Sequence, residues 1–228
     1  RKTQLNEYAK LLTNAQTQLQ LQRQVTQADV LRDTDAFKAS VETLVDKALP
    51  ELTDLALALQ PQQIAHLEKK FVSNNDSYRK DYLRGDVEQR QLFRYKKVMK
   101  QAEYWFGNFN REQEARIRAA SDERSLNNEM GLQMRLRRQQ ELIALLKKVQ
   151  NEKLGREATM ALLKNYAAGV ADHFGDAQHK AFFSASKDGT ARMIATIVNI
   201  ATPEQKAHAR EKLQRLIEDC HTMARPRA

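Results

Sequence analysis

A chain that folds as a sheet must reverse direction every few residues, and those reversals draw on glycine and proline. This chain holds seven Gly and four Pro among 228 residues. With so few turn formers and an abundance of Gln, Lys, Arg, Glu, Leu and Ala, the consistent solution is an all-α fold without a significant sheet. Apolar residues make up 41%, enough for a core, and the length suits one or two domains.

Several classes are excluded at once. No stretch approaches the roughly 20 uninterrupted apolar residues of a membrane-crossing helix. The most apolar window, residues 191–201, is short and contains Arg192 and Asn199. A lone Cys220 forms no internal disulfide, and its neighbour His221 does not make it a metal site. The sequence begins at Arg1 without Met, so a preceding segment, such as a removed leader, is expected.

Helix signals run through the chain. Leu5, Tyr8, Leu12, Ala15 and Leu19 form an apolar stripe over residues 1–24, with Gln16, Gln18, Gln20, Gln22 and Gln24 interleaved as a wet face. Thr26 and Asp29 resemble a capping box opening a second helix, which Pro50 should kink or end, with a possible local break at residues 33–35. The clearest start is Leu59-Gln-Pro-Gln-Gln63 before Ile64: proline stands at the first helical position, and the glutamine can fold back on the cap. The same grammar recurs at Phe109-Asn-Arg-Glu-Gln113 and Ala201-Thr-Pro-Glu-Gln205. The copies lie 50 and 92 residues apart, so they are a recurring cap and not a solenoid. Gly85 and Asp86 form a break, and Gly107 ends a helix over residues 87–106. The strongest amphipathic helix includes Leu132, Leu136, Ile143 and Leu146. A further helix over residues 156–174 stops at Gly175, a turn falls at residues 187–189, and the last helix starts at Pro203. The reading is seven to nine helices in a single domain over residues 1–228. It divides, if at all, into two subdomains meeting near the polar stretch 121–131.

Charge concentrates in the middle. Residues 1–60 carry seven basic and eight acidic groups, residues 61–160 carry 21 and 14, and residues 161–228 carry 10 and seven. Such a belt can attract phosphate on nucleic acid or on anionic lipid, or serve simply as a solvated helix face. Eight aromatics between Tyr78 and Phe109 sit among the cations and read first as core. No phosphate loop, nucleophile elbow or ligand-spaced His and Cys set occurs, so no catalytic residue, metal or cofactor is expected.

Three segments carry a family likeness: Ala48-Leu-Pro-Glu-Leu through Leu59-Gln-Pro-Gln-Gln-Ile-Ala-His-Leu-Glu-Lys-Lys-Phe71, with Asn74, Asn75, Tyr78 and Arg79; Ala102-Glu-Tyr-Trp-Phe-Gly107 into Phe109 and Gln113; and the opening residues 1–12. Together they resemble an uncharacterised family of Gram-negative bacterial lipoproteins. That resemblance implies a signal peptide and a lipidated cysteine upstream, a periplasmic location and an outer-membrane anchor; Cys220 is not that cysteine. The cap grammar also looks like the Leu-Thr-x-x-Gln motif of Spy-type periplasmic chaperones, with Thr retained only at Thr202.

The expected function is therefore that of a non-catalytic envelope lipoprotein binding a protein client or an anionic envelope component. The candidate contacts are Arg79, Lys80, Arg84, Arg94, Lys97, Arg135 and Arg138. The alternative is a cytoplasmic helical nucleic-acid-binding protein using the same belt, and an enzyme without a local motif comes third.

Overall fold

The computed structural model describes residues 2–20 and 23–225. Among them are nine α-helices and no strand: α1 (Lys2–Gln20), α2 (Gln27–Ala58), α3 (Pro61–Tyr78), α4 (Val87–Phe106), α5 (Arg111–Asp122), α6 (Asn128–Asn151), α7 (Arg156–Ala171), α8 (Ala177–Ile200) and α9 (Pro203–Ala224). A π-helical turn, Arg79–Leu83, follows α3, and a 3-10 turn, His173–Gly175, precedes α8. The all-α reading holds. Gln24, expected on the first helix, lies outside α1, and Gln22 lies outside the described residues.

The helix starts obey the shared grammar. At α5 the Gln113 N–H donates to Asn110 Oδ1 at 2.9 Å, and Gln113 Oε1 accepts the Asn110 N–H at 3.0 Å. At α9 the Gln205 N–H donates to Thr202 Oγ1 at 3.2 Å, and the Thr202 N–H donates to Gln205 Oε1 at 2.8 Å. At α3 Gln63 Oε1 accepts the Gln60 N–H at 2.8 Å. Each bond satisfies an amide that a helix start otherwise leaves unpaired. Gly107, with φ of 78°, ends α4 in the left-handed region that a side chain resists.

Two helices run through positions where the sequence predicts interruption. α2 continues across Pro50. The ring removes one backbone N–H at a cost of about 3 kcal/mol, but Leu49, Thr53 and Ala56 on either side are buried, and packing outweighs the missing bond. The Thr53 hydroxyl also donates to the Leu49 carbonyl at 2.6 Å. α2 likewise shows no break at residues 33–35, and α8 passes through residues 187–189 without a turn. Gly189 is buried there, and a Cβ on it would sit 3.3 Å from Arg124 Cγ. This glycine admits a neighbouring side chain rather than reversing the chain.

The residues group into two compact units. Unit one comprises the chain up to Glu42, Gln91–Ser125 and the chain from Ser184 onward; unit two comprises Thr43–Arg90 and Leu126–Phe183. One crossing lies between Ser125 and Leu126, within the polar stretch 121–131, and the others lie inside α2, α4 and α8.

Unit two is centred on Leu49, Ala56, Ile64, Ile143, Leu146 and Leu163. Buried Asn75 is satisfied by the Gln139 amide at 2.7 Å and by Arg135 Nε at 3.0 Å. This is the pairing that a buried polar side chain requires.

Unit one is centred on Ile117, which has no exposed surface, with Met99, Ala102, Phe109, Met193 and Ile197. α1 lies along α9 over Ala9, Ile217 and the buried Cys220. Part of the expected wet glutamine face is in use: Gln16 Nε2 donates to the Arg210 carbonyl at 3.2 Å. Before α2, Asn199 Oδ1 accepts the Val25 N–H at 2.8 Å, and Asn199 Nδ2 donates to the Val25 carbonyl at 2.9 Å.

The start of α2 also holds a buried carboxylate. Asp29 receives Arg23 at 2.7 and 3.1 Å, the Thr26 N–H at 3.0 Å, the Thr26 hydroxyl at 2.9 Å and Arg32 at 3.1 Å. The Arg23 guanidinium foremost, then the Thr26 donors, hold its carboxyl far below the usual carboxylate range. A folded-state pKa below the unfolded value of about 3.9 contributes stability that is complete above that value and is lost as pH falls beneath it. The gap in urea midpoint between the native chain and Asp29→Asn should therefore be widest at neutral pH and shrink below about pH 4. A gap that stays constant down to about pH 3 would contradict this role.

Candidate functional site

Five helices of unit one present single-face stripes to one recess. On α4 the stripe is Arg94, Lys97, Val98, Gln101, Ala102, Trp105 and Phe106, recurring every three or four residues as a helix face demands. α8 supplies Met193, Ile194, Ile197 and Val198; α2 supplies Val30, Asp33, Thr34 and Phe37; Leu19 of α1 and Leu213 of α9 complete the walls. The stripes enclose a groove of about 820 Å³, within the roughly 300–1,000 Å³ of small-molecule sites. Phe37 is 46% exposed and Ile194 38%, so apolar surface faces water where a filled core would have hidden it.

Among the described residues, three cations line the groove against one carboxylate. Arg94 Nη1 donates to the Ser125 carbonyl and Nη2 to the Arg124 carbonyl, both at 3.0 Å. Arg124 Nη1 lies 3.8 Å from Met193 Sδ. The Nε atoms of both arginines are buried and have no hydrogen-bond partner among the described residues. Burial pulls both guanidiniums below the ordinary arginine range, and for Arg94 the neighbouring Arg124 charge acts in the same direction. Asp122, whose field favours charged Arg94, is itself bound through Oδ2 to Arg118 Nε at 2.5 Å. Lys97 stands 5.1 Å from the centre of the Phe93 ring. The carboxylate, Asp33, accepts from Gln18 Nε2 at 3.0 Å, and burial raises its pKa. Among the described residues no Ser, Cys, His or Glu lines the groove.

The structure divides the seven candidate contacts between the units. Arg94 and Lys97 line the groove of unit one. The other five belong to unit two, where Arg79 pairs with Asp76 at 2.9 Å and Arg135 is engaged by Asn75 and stands over the Tyr78 ring at 5.8 Å. Lys80, Arg84 and Arg138 are exposed there. Arg124 was hidden from sequence reasoning inside the polar connection, and Phe37 and Ile194 lie in apolar helical stretches whose spacing does not mark them as groove residues. The signal that was available is the α4 stripe, in which cations precede aromatics on one face.

Among the described residues no helix is long and apolar enough to cross a membrane, and no three His, Cys, Asp or Glu side chains are placed to hold a metal ion. No curated protein and no solved structure matches the chain. Residues 1–168, which include every segment that carries the family likeness, match DUF6279, described as a family of unknown function, and the chain belongs to that family.

Proposed function

We propose that the protein is a non-catalytic binding protein of the bacterial envelope: a periplasmic lipoprotein, held at the outer membrane through a lipidated cysteine upstream of Arg1, that binds an anionic envelope component. The compartment rests on the likeness of the three quoted segments to envelope lipoproteins. The binding role rests on one observation, an apolar groove edged by Arg94, Lys97 and Arg124 with a single carboxylate, Asp33, among its described lining residues. Cations beside apolar walls favour a partner that offers negative charge and hydrocarbon together.

Sedimentation with lipid vesicles tests this reading. The protein should associate with phosphatidylglycerol vesicles in preference to phosphatidylcholine vesicles. The preference should weaken as salt rises and fall at least tenfold in the double variant Lys97→Glu, Ile194→Glu. Equal association with both lipids would overturn it, as would tighter, steeply salt-dependent binding to duplex DNA. Suppression of client aggregation without any lipid preference would move the role to protein clients.

A further inference from the structure

The groove of unit one has a direction. Arg94 and Arg124 stand together at one end, joined by the 3.0 Å bond to the Arg124 carbonyl and set beside Gly189 of α8. At the other end Phe106 lies 6.3 Å from Phe109, ring centre to ring centre, and Gln113, one turn beyond Phe109, donates to the Ile200 carbonyl at 2.7 Å. α4 and α8 therefore run the same way, from the cations toward the aromatics. The twelve residue steps from Arg94 to Phe106, at about 1.5 Å each, span about 18 Å. One leaflet's share of a roughly 30 Å hydrocarbon layer is about 15 Å, so the groove is about as long as a single acyl chain.

The polar content of the walls selects among occupants. A peptide would bring an N–H and a C=O with every residue, each needing a partner once buried. Among the described residues, the polar groups lining the groove apart from the cations are the side chains of Gln18, Asp33, Thr34 and Gln101 and the Trp105 indole N–H, and Gln18 already donates to Asp33. An acyl chain asks for no partners along its length and needs counter-charge only at its head. The guanidinium charges of Arg94 and Arg124, with the exposed Lys97 one turn along α4 from Arg94, supply it at one end.

Resting on the envelope-binding role above, we propose that this groove is a site for a long-chain fatty acid. Its carboxylate lies against Arg94, Lys97 and Arg124, and its chain runs between α4 and α8 toward Trp105 and Phe106.

Trp105, the single tryptophan of the chain, lines the far end and reports occupancy directly. Titrating hexadecanoate into the full chain should shift Trp105 emission to shorter wavelength and saturate. Affinity should rise about fourfold per added methylene between octanoate and dodecanoate. The uncharged methyl hexadecanoate should bind at least tenfold more weakly. Hexadecanoate brominated at its methyl end should quench Trp105 more than the isomer brominated beside the carboxylate. Arg124→Gln should weaken binding at least tenfold. Because that side chain also packs on Gly189, Ile194→Glu and Lys97→Glu, at exposed positions, serve as fold-neutral checks and should have the same effect.

No emission shift with hexadecanoate, equal affinity for acid and ester, preference for a two-chain phospholipid or for an amphipathic peptide, or reversed bromine quenching would each overturn the assignment. If hexadecanoate fails while the phosphatidylglycerol preference persists, only this assignment falls; if both fail, the envelope-binding role falls with it.

Discussion

Exchanging Gln113 for Glu should lower the free energy of unfolding by about 2–4 kcal/mol, even though glutamate is an ordinary capping-box residue. The reason is a second role for the amide. Gln113 Nε2 donates to the Ile200 carbonyl at 2.7 Å and to Gln205 Oε1 at 2.8 Å. Gln205 Nε2 in turn donates to the Asn108 carbonyl at 2.6 Å and reaches Gln113 Oε1 at 3.3 Å. Gln113 and Gln205, each the third helical residue of its capping box, thus form a reciprocal amide pair between α5 and α9, with Gln113 buried. A carboxylate keeps the acceptor for the Asn110 N–H but has no donor, so the Ile200 carbonyl loses this bond and two oxygens are forced together. Gln63 of α3 is exposed and provides the control: Gln63→Glu should change the urea midpoint little. Similar small effects at both positions would refute the pair's importance.

Ile117→Ala should cost more, about 3–5 kcal/mol. Ile117 is 0% exposed at the centre of the unit-one cluster, so the removed methyl groups leave a void lined by Met99, Phe109, Met193 and their neighbours. Ile117→Val should cost about 1 kcal/mol, and Val87→Ala, at a residue that is 63% exposed, almost nothing. Denaturant melts with unchanged slope and graded midpoints would report this directly. A midpoint for Ile117→Ala within the scatter of Val87→Ala would show that the centre of this core lies elsewhere.

Features set by a few adjacent residues were legible in the sequence. Asn110 with Gln113, Thr202 with Gln205, and Gly107 each act within one turn of helix, and their spacing alone predicted the starts and the stop. Pro50 does not end α2 and Gly189 does not reverse the chain because their outcome depends on what lies against them: buried neighbours carry α2 through the proline, and Arg124 explains the glycine. The amide pair joins residues 92 positions apart, beyond any local pattern. The groove was illegible for a related reason. An apolar stripe such as Met193, Ile194, Ile197 and Val198 has the same spacing whether it meets a neighbouring helix or an open recess. Of the seven candidate contacts, Arg94 and Lys97 could be picked out only once α4 was seen to turn its cations and Trp105 to the same side.

The clip between Asn199 and Val25 bears on how the recess receives a visitor. Its side-chain amide matches the Val25 backbone donor for acceptor, as a neighbouring strand would, and so fastens that part of the wall to α8. The freedom of that segment is surrendered while the chain folds. An entering molecule meets a surface already set at Val25 and loses none of its affinity to ordering it.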